Sequence, residues 1–166
     1  MTTLNIGGLI PESVVDGPGI RFALFAQGCK HDCPQCFNNE LQEFRQTRLL
    51  TIDEILNQIQ QYQSKGVTFS GGDPFEQAEG FAELAKHCRK RGLSIWCYTG
   101  YTYEHLLTDP PKLELLKELD VLVDGPFVLA KKDISLHLRG SSNQRLIDVQ
   151  ASLNNGTIIL YHEKSI

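Results

Sequence analysis

Three cysteines, Cys29, Cys33 and Cys36, lie close together directly after the largely apolar run 20–26. Thiolate groups in such numbers are typical of zinc sites and of iron–sulfur clusters. If the three thiolates hold a cubane cluster of four irons, one iron keeps no protein ligand. An iron of that kind can bind and cleave a small molecule. The triplet therefore points to redox catalysis rather than to a closed structural metal site.

A structural zinc site is the main alternative for the triplet, with His31 or a distant residue as the fourth ligand. Structural zinc takes four nitrogen or sulfur ligands, and these usually come as two separated pairs. The sequence contains no second pair, and His31 stands between two ligands of a short loop. These features favour an iron–sulfur cluster, and zinc stays open at this point.

The two remaining cysteines are predicted to be core residues. Cys88 follows Phe81, Leu84 and Ala85 at the spacing of one apolar helix face. Cys97 belongs to the apolar side of a strand pattern. Free cysteine is among the most buried residue types, so neither residue is expected to bind metal.

Strand and helix patterns alternate around the cysteines. Four segments have the character of core strands: 20–26, 67–69, 93–98 and 121–123. Three segments have helical spacing: 52–62, which starts with the capping box 51–54, then 76–91 and 113–119. Weaker strand signals occur at the N-terminus and at 146–149 and 157–160. The alternation predicts an α/β fold with a mostly parallel sheet and crossover helices.

Polar or glycine-rich residues follow each predicted core strand, and ligands of such folds gather at the carboxyl ends of the strands. After the cysteine segment come Gly71, Gly72 and Asp73, then Thr99 and Gly100, then 124–125. The glycine pair lets the backbone approach a ligand closely, and its carbonyls can accept hydrogen bonds from an ammonium group. Asp73 could add charge for that group or reach a nearby main chain. A plain turn is the alternative.

Length and charge limit the functions that are compatible with the chain. Its 166 residues fit a single domain, 1–166. The net charge of −4 argues against nucleic acid as the partner. No apolar run approaches the ~18 residues of a membrane span, and no export signal is visible at the N-terminus. We therefore expect a cytoplasmic protein without a membrane partner.

These motifs together resemble the radical S-adenosylmethionine (SAM) superfamily, specifically the glycyl-radical-enzyme activases. The loops after residue 95 resemble those of the activases that serve the anaerobic ribonucleoside-triphosphate reductase. Asp73 departs from the pattern, since many members of the superfamily carry glutamate there. The motifs that carry the resemblance are 15–21, the cysteine segment 29–37, 70–74, 96–101, 121–127 and 139–144.

The resemblance implies the cofactors and the residues that bind them. Cys29, Cys33 and Cys36 would bind a [4Fe-4S] cluster, and SAM would chelate the open iron. Gln35, Cys36 and Phe37 would lie beside the adenine. The methionine ammonium would be received by Gly71, Gly72 and Asp73, and the same ligand would be lined by Tyr98, Thr99 and Gly100. The sequence pattern leaves open whether Arg139, Asn143 and Gln144 contact a substrate, a partner or solvent.

The resemblance also implies the reaction and the partners. Reductive cleavage of SAM would give a 5'-deoxyadenosyl radical, which would abstract a hydrogen atom from one glycine of the reductase. A reduced flavodoxin-like protein would supply the electron. The fold would be an incomplete β/α barrel, open on one side, because the chain is shorter than the roughly 250 residues of a closed eight-unit barrel. The alternatives are another radical SAM enzyme or a non-catalytic zinc or iron–sulfur module.

Overall fold

The computed structural model describes residues 2–29, 31, 41–133, 135 and 138–162. In this part of the chain the strands are β1 Thr3–Ser13, β2 Arg21–Ala26, β3 Leu49–Thr51, β4 Gly66–Gly71, β5 Ser94–Tyr98, β6 Val121–Asp124 and β7 Arg145–Asp148. The α-helices are α1 Ile52–Gln60, α2 Ala78–Lys90, α3 Tyr103–Thr108, α4 Pro110–Leu116 and α5 Val149–Asn155. Two short 3-10 helices cover Pro74–Gln77 and Leu129–Lys131.

The seven strands form one sheet in the order β3-β1-β2-β4-β5-β6-β7. Strands β2, β4, β5 and β6 are neighbours and run parallel. The flanking strands β1, β3 and β7 pair antiparallel with their neighbours. Among the described residues the edge strands β3 and β7 do not pair with each other, so the sheet is not closed. The prediction of a mostly parallel sheet that is open on one side is confirmed.

One face of the sheet carries the main apolar core. Side chains alternate between the two faces of a strand, and Phe22, Leu24 and Phe69 point to the same face as Ile95 and Cys97. This face packs against apolar side chains of α1, α2 and α4, which include Ile55, Phe81, Leu84, Cys88 and Leu115. Cys88 and Cys97 are therefore core residues, as predicted. The helices cover this face and leave the opposite face to form the site.

The predicted helices and strands occur with shifted ends. The capping box is present, since the Thr51 side chain accepts from the Glu54 amide and Glu54 accepts from the Thr51 amide. The helix predicted over 113–119 is α4, which starts at Pro110 with proline in its first turn, a position where proline needs no amide donor. Helix α3 was not predicted. It starts where the Thr102 hydroxyl accepts from the His105 amide.

The prediction of a strand over 157–160 is wrong. Leu160 forms only an isolated bridge with Ile147. The segment before it is α5, because the Asp148 side chain accepts from the Ala151 amide and starts a helix where the strand ends. Gly156 ends this helix in a left-handed conformation with φ of 72°.

Arg21 ties the first residues of three parallel strands together. Its side chain donates from Nε to the Thr68 hydroxyl at 2.9 Å, from Nη1 to Ser94 Oγ at 2.9 Å, and from Nη2 to the carbonyls of Val67 and Ser94. Burial lowers the pKa of Arg21 to about 10. Arg21 is thus a buried cation of the scaffold with four hydrogen bonds, rather than a solvated charge.

Among the described residues, no helix is both long enough and apolar enough to cross a bilayer.

Candidate functional site

A cavity of about 560 Å³ opens at the carboxyl ends of the parallel strands. Its wall includes six of the residues that the sequence predicted for the site: Cys29, Gly71, Gly72, Tyr98, Thr99 and Gly100. The sheet topology brings these residues together because β2, β4 and β5 are parallel neighbours that end at one rim. The predicted convergence of the strand ends is confirmed for these positions.

The glycine pair at the end of β4 allows two backbone segments to approach each other closely. Gly71 has φ of 105°, which side chains rarely tolerate. A Cβ on Gly72 would come closer than 3.0 Å to the carbonyls of Gly28 and Leu41. The Gly72 amide also donates to the Ala26 carbonyl at 2.8 Å. The glycines therefore hold the end of β4 against the segment that leads to Cys29, and they still line the cavity.

Asp73 is fully buried, and its carboxylate is occupied by protein donors. Oδ1 accepts from the Phe75 amide at 3.0 Å, and Oδ2 accepts from the Gly100 amide at 2.9 Å. The Thr99 hydroxyl lies within 2.9 Å of both oxygens. The amide of Asp73 itself donates to the Gly28 carbonyl at 2.8 Å. The carboxylate thus reaches nearby main chain, one of the two roles that the sequence allowed, and it joins the ends of β4 and β5.

His31 lies against the same carboxylate. Its Nε2 is 2.8 Å from Asp73 Oδ2, and its ring meets the ring of Tyr101 edge-on at 4.5 Å between centroids. One ligand atom each from Cys29, His31 and Asp73 lie within 4.8 Å of one another. Because Oδ2 of Asp73 already accepts from other donors, this trio fits a hydrogen-bonded cluster better than a zinc site.

The loop after β5 is fixed from both sides of the cavity. The Tyr98 hydroxyl donates to the Leu138 carbonyl at 2.9 Å, and burial raises the pKa of this phenol. The Thr99 amide donates to the Val123 carbonyl at 3.0 Å. The Tyr101 hydroxyl donates to Glu76, and burial together with this hydrogen bond raises the pKa of Tyr101. These contacts hold the end of β5 in position.

The segment 139–144 is a loop that is bonded mainly to itself and to the end of β6. Gln144 accepts from the amides of Gly140 and Ser141, and it donates to the Gly125 carbonyl at 3.0 Å. Asn143 donates to the Pro126 carbonyl at 2.8 Å. These two side chains shape the loop. Arg139 donates to the Gln144 carbonyl at 2.7 Å and also lines the cavity.

Four of the predicted site residues, Cys33, Gln35, Cys36 and Phe37, lie outside the described residues. Their assignments therefore stay predictions. Sequence reasoning missed His31 as a partner of Asp73, and it missed Phe25, Ser70 and Leu138 as residues of the cavity wall. Ser70 and Phe25 could have been found from strand alternation, since they lie two residues beyond Thr68 and Ala23 on the face opposite the helices.

The described residues fit the two implied cofactors. Cys29 offers a thiol at the cavity wall, and thiolates are the protein ligands of iron–sulfur clusters. The cavity volume lies within the range of about 300–1,000 Å³ that is usual for small-molecule sites. Its wall combines backbone at Gly71, Gly72 and Gly100 with apolar side chains. This mixture suits a ligand with both charged and flat apolar parts.

Comparisons with known proteins relate this site to one family. A family model described as "4Fe-4S single cluster domain" matches residues 15–147. The anaerobic ribonucleoside-triphosphate reductase-activating protein of Escherichia coli (strain K12) is 35% identical over 150 residues, which cover 85% of this chain and 96% of that protein. The protein of the same name from Enterobacteria phage T4 is 34% identical over 150 residues, with coverage of 86% and 93%.

A solved structure supports the fold. The crystal structure of QueE from Escherichia coli matches with a TM-score of 0.50 and 19% identity, covering 60% of this chain and 54% of that chain. At this identity the likeness concerns the fold alone. It confirms the predicted incomplete radical SAM barrel.

Proposed function

Because the chain belongs to the 4Fe-4S single-cluster family and, within it, to the anaerobic ribonucleoside-triphosphate reductase-activating proteins, we propose that it activates such a reductase. The observation that supports this function best is the cavity that brings Cys29 beside the glycine pair of β4 and the end of β5. The thiol of Cys29, the backbone of the glycine pair and the end of β5 line the same cavity there. These groups are suited to hold part of a cluster and the polar end of SAM in one cavity.

Cys29, Cys33 and Cys36 would hold the [4Fe-4S] cluster. When bound and reduced by a donor protein, the cluster would supply the one electron that cleaves a carbon–sulfur bond of SAM; the products would be methionine and a 5'-deoxyadenosyl radical, which would take a hydrogen atom from a glycine of the reductase. The protein positions the reactants and excludes water from them. The reduction potential of the cluster depends on nearby charges and on the exposure of the cluster to solvent. The residues of the cavity wall would influence both.

The ligand contacts are assigned by position around the cavity. Gly71 and Gly72 would receive the methionine ammonium through their backbone, and Tyr98, Thr99 and Gly100 would line the same ligand. Gln35, Cys36 and Phe37 would lie beside the adenine. We assign Asp73 an indirect part in binding SAM, since its buried oxygens hold Thr99 and Gly100 in place.

The reductase would dock at the rim of the cavity on the open side of the sheet. Val15 lines the cavity and is 75% exposed, and its neighbour Val14 is 69% exposed. Contiguous exposed apolar surface marks sites of protein contact, and these two adjacent valines supply apolar surface at the rim. A reduced flavodoxin-like protein would supply the electron. We further propose that residues 1–166 act as one domain and that the protein works in the cytoplasm, where thiols stay reduced.

Anaerobic reconstitution tests this function. We expect a brown protein with about four irons per chain that cleaves SAM when reduced, and a glycyl doublet in the electron paramagnetic resonance (EPR) spectrum of a mixture with the reductase. Cys29→Ala and Cys33→Ala should lose the cleavage. Cys88→Ala, which removes a buried core thiol, should retain it.

Three results would contradict the proposed function. SAM cleavage without a glycyl doublet would indicate a different radical SAM enzyme. One tightly bound zinc and no iron would indicate a structural metal module. SAM cleavage by Cys33→Ala at the wild-type rate would contradict the assigned ligands.

A further inference from the structure

We propose that His31 is a positioning residue, which fixes the cysteine segment relative to the strand ends that bind SAM. The inference rests on the proposed function and deepens it. His31 lies two residues after Cys29 and two before Cys33, so a restraint on its ring is a restraint on the segment that holds the cluster.

The first restraint is a hydrogen bond to a buried acceptor. His31 Nε2 lies 2.8 Å from Asp73 Oδ2, and the two side chains are 16% and 0% exposed. A carboxylate only accepts hydrogen bonds, so the Nε2 nitrogen donates. Hydrogen bonds to charged groups are about twice as strong as neutral ones, and this one is shielded from water.

The second restraint is steric. A Cβ built on Gly100 would meet three atoms of the His31 ring before any other atom, all closer than 3.0 Å. The ring therefore lies directly on the backbone at Gly100. The edge-on contact with Tyr101 restrains a further side of the ring. Three neighbours thus determine where His31 lies: Asp73, which follows the end of β4, and Gly100 and Tyr101 in the loop after β5.

Asp73 passes this restraint to the rest of the site. The same carboxylate accepts from the Thr99 hydroxyl and the Gly100 amide, and the amide of Asp73 donates to the Gly28 carbonyl. One buried residue therefore connects the cysteine segment with both strand ends of the cavity. Without the imidazole, the link through the Gly28 carbonyl would remain, but the chain would lose its restraint beyond Cys29, and SAM would meet the cluster and the backbone in a less defined arrangement.

The test compares His31→Ala and His31→Gln with the wild-type chain. His87→Ala is the matched control, because His87 is exposed on α2. Three quantities are measured after anaerobic reconstitution: iron per chain, the Kd for SAM of the oxidised protein, and the EPR spectrum of the reduced cluster with and without SAM. Mutation of residues that hold metal ligands in place typically costs about 10–100-fold in metal affinity or activity, and we expect a loss of this order for SAM, which would bind at the cluster.

We expect His31→Ala to load iron, to bind SAM at least about ten-fold more weakly, and to show a smaller change of the EPR spectrum on adding SAM. His31→Gln should recover most of the affinity, since its amide can donate to Asp73. His87→Ala should match the wild type. If His31→Ala fails to load iron, loading by His31→Gln still supports positioning. Failure of both variants would make His31 a metal ligand and overturn the proposal.

Gly100→Ala supplies a second, independent test. In the wild-type background the added methyl displaces the His31 ring, so SAM affinity should fall. In the His31→Ala background the same change should cost less than in the wild type, because the clash with the imidazole is gone and only the contact of the methyl with SAM remains. Equal losses in both backgrounds, or wild-type affinity and spectra in His31→Ala, would overturn the inference. A wild-type chain that binds SAM but gives no glycyl radical would instead contradict the proposed function.

Discussion

Arg145 donates two hydrogen bonds to Asp124, from Nε to Oδ1 at 3.0 Å and from Nη2 to Oδ2 at 2.5 Å. Asp124 ends β6 with only 1% of its side chain exposed, and it also accepts from the Tyr103 amide at 2.8 Å. The same arginine binds Glu104 on α3. The pair therefore attaches the antiparallel edge strand β7 and helix α3 to the parallel core.

Arg145→Ala should lower the free energy of unfolding by about 2–3 kcal/mol, because it leaves the buried Asp124 carboxylate without its cation. Glu104→Gln removes a pair in which the carboxylate is 61% exposed, so its cost should stay below about 1 kcal/mol. Urea denaturation of the three proteins measures both values. Equal losses for the two variants would show that burial of Asp124 is not what makes its pair important.

Gly72→Ala should impair the site because the new methyl would meet the carbonyls of Gly28 and Leu41. Backbone atoms of this kind cannot rotate away, and overpacking typically costs about 1–3 kcal/mol. We expect lower stability together with loss of SAM binding. Gly8→Ala is the matched control, since a Cβ there has only ordinary contacts at 3.9 Å. Calorimetry measures the stability of the two reconstituted variants, and a SAM-binding assay measures their affinity. Equal stability and equal SAM binding of the two variants would contradict the prediction.

Arg21→Lys should destabilise the fold by about 2–4 kcal/mol, although the charge is retained. The four acceptors around Arg21 fit a planar fork, and an ammonium on a flexible stem cannot reach all of them. Arg89→Lys changes an exposed arginine that donates to a single carbonyl and should cost less than about 0.5 kcal/mol. If the two variants unfold at similar urea concentrations, the structural role of Arg21 is contradicted.

Cys88 should make the stability depend on pH above 9. Burial raises the pKa of its thiol from 9.0 to about 12. Between these values the unfolded chain releases a proton that the folded chain keeps, so the stabilising contribution is full below pH 9 and declines as the pH rises towards 12. The decline is about 1.4 kcal/mol per pH unit. Urea denaturation at pH 9, 10 and 11 should show a less steep decline for Cys88→Ala than for wild type. Parallel curves would contradict this.

The order of strands and helices could be predicted because local signals agree with the fold. The capping box at Thr51 starts α1, and the apolar runs around Phe69 and Val121 are buried strands. The sequence also located the cavity wall, since parallel strands must end at one rim. The incorrect prediction of a strand over 157–160 has a physical cause. A short apolar run shows neither helical nor strand periodicity clearly. The side chain of Asp148 caps helix α5, which occupies the residues directly before this run.

The contacts inside the site could not be predicted in the same way. The sequence left open whether Asp73 adds charge for a ligand or reaches a nearby main chain, and the structure shows its carboxylate in contact with His31, Thr99 and Gly100. These partners are separated from Asp73 by 26 to 42 positions. A pairing over such distances depends on how β4 and β5 are placed next to each other. Neither spacing nor composition carries that information.

The distance in sequence between His31 and Asp73, 42 positions, also sets an order of events during synthesis. Chains grow from the N-terminus at roughly 5–20 residues per second. The cysteines therefore leave the ribosome several seconds before β5 and Gly100, which complete the surroundings of Cys29. During that interval the thiols are exposed to any metal or oxidant in the cell. A cluster inserted during that interval would lack the contacts that Thr99 and Gly100 make with Asp73.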